Sequence, residues 1–107
     1  TNRRKIDLVR SWVLSNDSIV YSKNYWVLVN GVQEVIHRYG KISCPTLVIA
    51  ASEDYGNGPE MAQSIAEEIN GAKVIILKGL RHMAVFEKPQ IVNRHLVDFL
   101  KSTNPKE

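Results

Sequence analysis

Two short apolar segments, residues 46–51 and 73–77, constrain the fold of this chain more than any other feature. Continuous apolar runs of this length are typical of strands that are buried on both faces of a parallel sheet. An amphipathic stretch follows each segment. The apolar spacing predicts helices over residues 59–70 and 89–102, the second ending before Pro105. The order strand, helix, strand, helix predicts an α/β fold in which a right-handed crossover joins two parallel strands.

Two parallel strands alone form an incomplete sheet. They cannot bury both faces and both edges, and all-parallel sheets occur almost only inside larger layered folds. The segment 46–51 is too apolar for a bare edge, so it requires a neighbouring strand that the sequence does not supply. We therefore expect the chain to be part of a larger α/β protein. The alternative is a homodimer in which the exposed strand pairs with a second copy.

The first 40 residues have a different, helical pattern. Apolar residues recur there at three- and four-residue steps, which places them on one helix face. These residues are Val29, Val32, Ile36 and Tyr39. Gly40 follows directly, where a left-handed cap is expected, and an apolar group within residues 6–13 predicts an earlier helix that ends near residues 15–18. The chain is thus predicted to divide into a helical segment, residues 1–40, and a strand–helix segment, residues 41–107.

Charge and hydropathy exclude two classes of partner. The formal net charge of +3 arises in the helical segment, where Arg3, Arg4 and Lys5 lead the chain. No aromatic interleaving and no recognised binding module follow, so we expect a solvated helix end and no nucleic-acid partner. The longest apolar run near the middle is far shorter than the roughly 18 residues of a membrane span. We therefore expect no membrane partner.

Cysteine and histidine usage indicates a metal-free protein of a reducing compartment. The single cysteine, Cys44, cannot form an internal disulfide, and its place before a buried strand predicts a small apolar filler. The three histidines lie far apart, without the spacing that puts metal ligands on one face. They are His37, His82 and His95. We expect no metal, no cofactor and a cytoplasmic location.

The candidate chemistry lies in two loops, residues 52–58 and 79–86, which leave the carboxyl ends of the predicted strands. Open α/β folds place their sites at these ends. Asp54 in the first loop and His82 in the second could come within hydrogen-bonding reach. In such a pair the carboxylate orients the imidazole, and the imidazole removes a proton from a nucleophile. Asp54 also suits an ordinary turn, and Glu53 competes for the role of the acid.

Residues 42–54 and 70–89 resemble the acid strand and the histidine strand and loop of the α/β-hydrolase fold. In that family an apolar strand ends in Gly-x-x-Asp, and about 25–30 residues intervene before Gly-x-x-His and Glu-x-Pro. The last helix of the fold follows. Residues 1–40 are similar, more loosely, to the end of the family's helical cap.

The spacing of the motifs agrees with the family pattern. Asp54 and His82 are 28 positions apart, Gly79 opens the Gly-x-x-His motif, and Glu-x-Pro occupies residues 87–89. The sequence departs from the pattern at Ala51, where glycine is commoner. The resemblance implies that Asp54 is the acid and His82 the general base of a catalytic triad.

The nucleophile of such a triad is missing from the sequence. In the family it precedes the acid, on a Gly-x-Ser-x-Gly turn, and none of the eight serines lies in that pattern. Ser64 has a small residue two positions away on each side, Ala62 and Ala66, but it lies inside a predicted helix and after Asp54, so we exclude it. The chain is expected to supply two of the three triad members and to be inactive alone.

The resemblance also implies a substrate class. The parent protein would be a hydrolase of the carboxylesterase and enol-lactonase branch, acting without a cofactor on an ester, lactone or similar small apolar substrate. An aspartate nucleophile would instead imply a dehalogenase or an epoxide hydrolase. Two other classes stay open, a non-catalytic α/β-hydrolase-like binding protein and a self-dimerising α/β module.

Overall fold

The computed structural model describes residues 2–104 as two compact units that divide between Ile36 and His37. The first unit consists of α1 (Arg3–Ser15) and α2 (Ser18–Val35). The second contains, in chain order, one turn of 3-10 helix (Tyr39–Lys41), β1 (Leu47–Ala51), α3 (Pro59–Glu68), β2 (Lys73–Leu77), α4 (Ala84–Glu87) and α5 (Pro89–Thr103). The predicted stop before Pro105 lies outside the described residues. Within residues 2–104, no helix combines the length and the apolar character needed to cross a membrane.

Side-chain caps fix the starts of both helices in the first unit. Asn2 Oδ1 accepts the backbone N–H of Lys5 at 3.3 Å, and Asp17 Oδ1 accepts two backbone N–H groups of α2 at 2.9 Å each. These caps satisfy donors that have no partner within a helix. Neither helix contains a buried residue, and both tryptophans, Trp12 and Trp26, are exposed. The unit therefore does not cover its own apolar side chains.

The end of α2 differs from the prediction. The helix ends at Val35, and the residue in the left-handed region is His37, with φ 66°. Gly40 lies inside the 3-10 turn instead, so its predicted role as a left-handed cap is wrong. A Cβ at Gly40 would meet the carbonyl oxygen of Glu68 at 3.4 Å. The glycine thus allows close packing against the end of α3 rather than terminating a helix.

The two strands form a parallel sheet joined through α3. Leu47 lies opposite Lys73 and Ala51 opposite Leu77, without a break in register. Pro59 opens α3, where its missing N–H would have no helical partner in any case. The predicted fold class, an α/β fold with two parallel strands and flanking helices, is confirmed.

The core is small and lies under the carboxyl ends of the strands. Its buried members come from both strands, the loop after β2 and two helices: Ala51, Leu77, Leu80, Ala84 and Val92. Among the described residues no large side chain falls below 2% exposure. The sheet has two strands within residues 2–104, so each strand keeps one unpaired edge. The expected incompleteness of the sheet is present in the structure.

One short helix interrupts the predicted loop 79–86. The helix α4 makes a single turn, in which the N–H of Lys88 donates to the carbonyl oxygen of Ala84 at 2.9 Å. Ala84, the first residue of this turn, is buried in the core. A four-residue turn has no apolar period, so the sequence could not indicate it.

Candidate active site

Backbone groups of the acid loop, residues 52–58, hold Asp54 in place. The N–H of Asp54 donates to the carbonyl oxygen of Ala51 at 3.2 Å, which turns the chain as β1 ends. The carboxylate Oδ1 then accepts the N–H groups of Gly56 and Asn57 at 3.0 Å each. One carboxylate oxygen is thereby fixed inside its own loop, and Oδ2 remains to bind a residue from another loop.

The histidine loop, residues 78–83, reaches Asp54 after a left-handed glycine. Gly79 has φ 70°, a region that glycine enters without steric conflict. Leu80 is then buried in the core, which anchors the loop. His82 follows, and its Nδ1 lies 2.8 Å from Oδ2 of Asp54. The structure thus brings the two residues singled out from the sequence into a direct hydrogen bond.

The hydrogen bonds of the carboxylate favour its ionised form. They hold the pKa of the Asp54 carboxyl below its ordinary value of 3.8, with the N–H of Asn57 as the largest cause and the bond from His82 next. An ionised carboxylate only accepts hydrogen bonds, so Nδ1 of His82 must carry the shared proton. The lone pair of the neutral ring then lies on Nε2. Within residues 2–104 this nitrogen has no hydrogen-bond partner, and the His82 side chain is 69% exposed against 10% for Asp54.

Acid is expected to weaken the fold through Asp54. A carboxyl whose pKa is lower in the folded than in the unfolded chain contributes stability above the unfolded value, here near 3.8. That stability is lost as the pH falls through the folded value. Urea unfolding midpoints measured from neutral pH to about pH 2.5 should therefore fall more steeply for the unmodified chain than for Asp54→Asn. Parallel pH dependences for the two chains would contradict this role of the carboxylate.

Gly58 is a site residue that the sequence does not reveal. A Cβ at this position would lie 2.7 Å from the carbonyl oxygen of Asp54, closer than side-chain carbons approach other atoms. At Gly56, in the same loop, a Cβ would meet Asp54 Oδ1 at an ordinary contact distance of 3.7 Å. Both glycines suit a turn in the sequence, and only the folded backbone distinguishes them.

The two glycines provide a matched pair of variants. Gly58→Ala is expected to lower the free energy of unfolding by about 1–3 kcal/mol, because the new methyl group overlaps a backbone atom that cannot rotate away. Gly56→Ala adds the same methyl group at an ordinary contact distance and keeps the N–H that binds Asp54. Its effect on the free energy of unfolding should therefore stay within about 0.5 kcal/mol. Urea denaturation of the two variants measures the difference. Equal unfolding midpoints would rule out the close approach of Gly58.

Glu53 and Arg81 make a second side-chain link between the acid loop and the histidine loop. Arg81 Nε lies 3.6 Å from Glu53 Oε2, with side chains 68% and 47% exposed respectively. The carboxylate that contacts His82 is that of Asp54, so the structure gives Glu53 no support as the acid. Arg81 extends into solvent, and an exposed ion pair of this kind contributes only about 0–1 kcal/mol.

An open cavity of about 410 Å³ lies beside the acid loop. Its wall runs from Asp54 to Met61 and includes the first turn of α3, with Tyr55 and Met61 as its large apolar side chains. Cavities of this size accommodate small molecules. Asp54 borders this space, whereas His82 is not among the residues that line it.

The remaining histidines and the cysteine lie away from this pair. His37 Nδ1 is 3.8 Å from a carboxylate oxygen of Glu68, and His95 lies on α5. Cys44 is exposed, so its predicted role as a buried filler is wrong. The reason is that β1 begins only at Leu47, which leaves Cys44 in the connecting segment. Within residues 2–104, no group of three or more His, Cys, Asp or Glu residues could hold a metal ion.

Sequence comparison relates most of this chain to known proteins. The profile of the TAP-like protein family matches residues 20–107. The (E)-2-((N-methylformamido)methylene)succinate hydrolase of Acinetobacter baylyi is 24% identical over 95 residues. That alignment covers 89% of this chain and 36% of the hydrolase, so the chain spans about a third of the length of this curated relative.

Two solved structures from Mycobacterium tuberculosis are similar to part of this chain. Rv0554 matches with a TM-score of 0.61 and 25% identity, over 64% of this chain and 25% of its own. BpoC of strain H37Rv, a candidate non-heme bromoperoxidase, matches with a TM-score of 0.59 and 26% identity, over 62% of this chain and 25% of its own. Because the family profile covers well over half of the sequence and the solved relatives share the α/β-hydrolase fold, the chain belongs to the TAP-like family of α/β-hydrolase proteins.

Proposed function

We propose that this chain supplies the acid and the histidine of a nucleophile–histidine–acid triad in a hydrolase of small esters, lactones or similar apolar substrates. One observation carries the proposal. The Asp54 Oδ2 to His82 Nδ1 distance of 2.8 Å joins the ends of two adjacent parallel strands, where open α/β folds place their sites. Family membership and the hydrolase from Acinetobacter baylyi support the same reaction class.

The geometry favours base catalysis through the exposed nitrogen of His82. Asp54 fixes the proton on Nδ1, so the Nε2 lone pair is free to take the proton of a hydroxyl nucleophile as that oxygen bonds to the substrate carbonyl carbon. The Asp54 carboxylate stabilises the imidazolium that results. His82 then returns the proton to the leaving group, and the same cycle with water releases the acyl group. The reaction needs no cofactor.

The nucleophile is proposed to come from a part of the protein other than these 107 residues. No serine in the sequence lies in a Gly-x-Ser-x-Gly turn, and the chain spans only about a third of its curated relative. In this proposal the helical segment of residues 1–40 belongs to the cap and residues 41–107 to the catalytic core. The substrate named for the Acinetobacter baylyi hydrolase, a substituted succinate, supports a small molecule as substrate.

A fluorophosphonate probe tests the proposal directly. In the native full-length protein we expect it to label one serine, in a Gly-x-Ser-x-Gly turn outside these 107 residues, which peptide mass spectrometry would locate. His82→Ala should slow the labelling, because the serine then loses its base. A protein that carries glycine or alanine at that turn and hydrolyses no ester would be a binding protein. An aspartate there, with turnover of haloalkanes or epoxides, would place it among the dehalogenases or epoxide hydrolases.

The unpaired edges of the sheet favour a second candidate, a self-dimerising module. Both strands keep an open edge within residues 2–104, and β1 carries only apolar residues. Unpaired strand edges are templates for pairing with another chain. Sedimentation of the 107-residue chain distinguishes the candidates, because a stable monomer excludes the dimer.

We further propose a cytoplasmic location, which the single cysteine favours.

A further inference from the structure

Three consecutive residues of the acid loop bind the histidine loop, and only the last of them is Asp54. The hydroxyl oxygen of Ser52 accepts the N–H of Gly79 at 2.8 Å. The N–H of Glu53 donates to the carbonyl oxygen of Leu80 at 2.9 Å. The bond between Asp54 and His82 completes the series, so the position of the imidazole depends on a row of loop-to-loop contacts.

The Ser52 bond lies just beyond the last paired residues of the two strands, where the spacing between contacting residues changes. The sheet register ends with Ala51 opposite Leu77. The next contacts join residues 27 positions apart, Ser52 and Gly79, and then 28 positions apart at the acid–histidine pair. The histidine loop therefore gains one residue on the acid loop at the Ser52–Gly79 contact, none at the Glu53–Leu80 contact, and a second at the Asp54–His82 contact. Gly79, with φ 70°, is the residue at which this shift begins, and Ser52 is the side chain that holds it.

Ser52 is better suited to hold the histidine loop in place than the ion pair between Glu53 and Arg81 is. The Glu53–Arg81 ion pair is long, at 3.6 Å, and mostly exposed, so water and salt screen it. The Ser52 bond is exposed too, but at 2.8 Å it is shorter, it joins uncharged groups that salt does not screen, and it ends on the backbone, which cannot rotate away as an arginine side chain can. A backbone anchor three residues before His82 limits where the imidazole can lie.

We infer that Ser52 is a positioning residue, which holds the backbone of the histidine loop so that His82 Nδ1 stays within hydrogen-bond distance of Asp54. The inference rests on the proposed function only for its effect on catalysis. The effect on the geometry of the pair is independent of any reaction. Small displacements of a catalytic group reduce the rate strongly while substrate binding is preserved. Loss of the hydroxyl should thus lower kcat and leave KM nearly unchanged.

Threonine and valine provide a matched pair at this position, because they share one shape and differ by the hydroxyl. In the native full-length protein we expect Ser52→Val to lower kcat for ester hydrolysis about two- to tenfold, the range of a lost hydrogen bond, with KM within about twofold. Ser52→Thr should restore kcat. In protein labelled with ¹⁵N-histidine, the Nδ1–H signal of His82 should move upfield and exchange faster with water in Ser52→Val but not in Ser52→Thr. Ser64→Ala, an exposed serine on α3, serves as a control.

The spectroscopic result separates this inference from the proposed function. If Ser52→Val leaves the His82 signal as it is in the unmodified protein, the positioning role is overturned whatever the activity. If the signal responds to the hydroxyl while the unmodified protein hydrolyses no ester, the positioning role stands and the hydrolase proposal fails. Equal losses in Ser52→Val and Ser52→Thr would assign the effect to side-chain shape and would also overturn the inference.

Discussion

Replacing His82 with alanine in the native full-length protein is expected to lower kcat for ester hydrolysis by roughly 10²–10⁴-fold. The substitution removes the only imidazole that is hydrogen-bonded to Asp54 in the described chain. The nucleophile then keeps its proton at neutral pH, and the leaving group receives none. KM should change little, because the imidazole acts on protons and not on the bound substrate. Steady-state kinetics with a p-nitrophenyl ester measures both constants.

A second histidine gives the control for this variant. His37 is exposed and lies away from the Asp54–His82 pair, with a positive φ of 66°. His37→Asn removes an imidazole and keeps a residue type that tolerates this backbone region. We expect its kcat to stay within about twofold of the unmodified protein. Near-normal turnover by His82→Ala, or an equal loss in His37→Asn, would refute the assignment of His82 as the base.

Asp54→Asn is expected to reduce kcat by about 10⁴-fold, the effect of inverting the histidine tautomer in a triad. The reason lies in the acid loop. The N–H groups of Gly56 and Asn57 both require an acceptor, so the amide oxygen of the new asparagine must replace Oδ1. Its NH₂ group then faces His82 Nδ1 and donates to it. The ring proton is driven to Nε2, and the lone pair needed for proton transfer is lost.

The neighbouring carboxylate supplies the matched control for Asp54→Asn. Glu53→Gln makes the same change, a carboxylate to an amide, one residue earlier and without contact to His82. We expect it to leave kcat within about twofold. ¹⁵N spectra of the histidine ring should report the tautomer reversal in Asp54→Asn alone. If Glu53→Gln were the slower variant, Glu53 and not Asp54 would be the acid.

The acid–histidine pair could be predicted from the sequence because strand order and spacing determine it. Parallel strands end at one edge of a sheet, and short loops after them hold Asp54 and His82 close together whatever the surrounding detail. The α/β arrangement followed from the same apolar runs. The strands depend on the apolar pattern over many residues, which makes them easier to predict than a contact that depends on one residue.

The details that the sequence did not predict depend on single tertiary contacts. The left-handed residue after α2 is His37, whereas Gly40 lies in the 3-10 turn beside the carbonyl oxygen of Glu68. Gly58 and Gly56 are equivalent in the sequence and differ only in their distance to Asp54. Ser52 is one of eight serines, and only the shift in register beyond the strands gives its hydroxyl a partner.

The single crossover that carries both Asp54 and His82 has a consequence for how such enzymes change during evolution. Asp54, His82 and the bonds that align them all lie between the start of β1 and the loop after β2, within one strand–helix–strand unit. A recombination event or an insertion outside that unit cannot separate the two residues. Caps and substrate pockets could therefore be exchanged freely while the proton-transfer pair is inherited as one piece. Directed evolution by domain shuffling should place its crossover points before β1 or after α4.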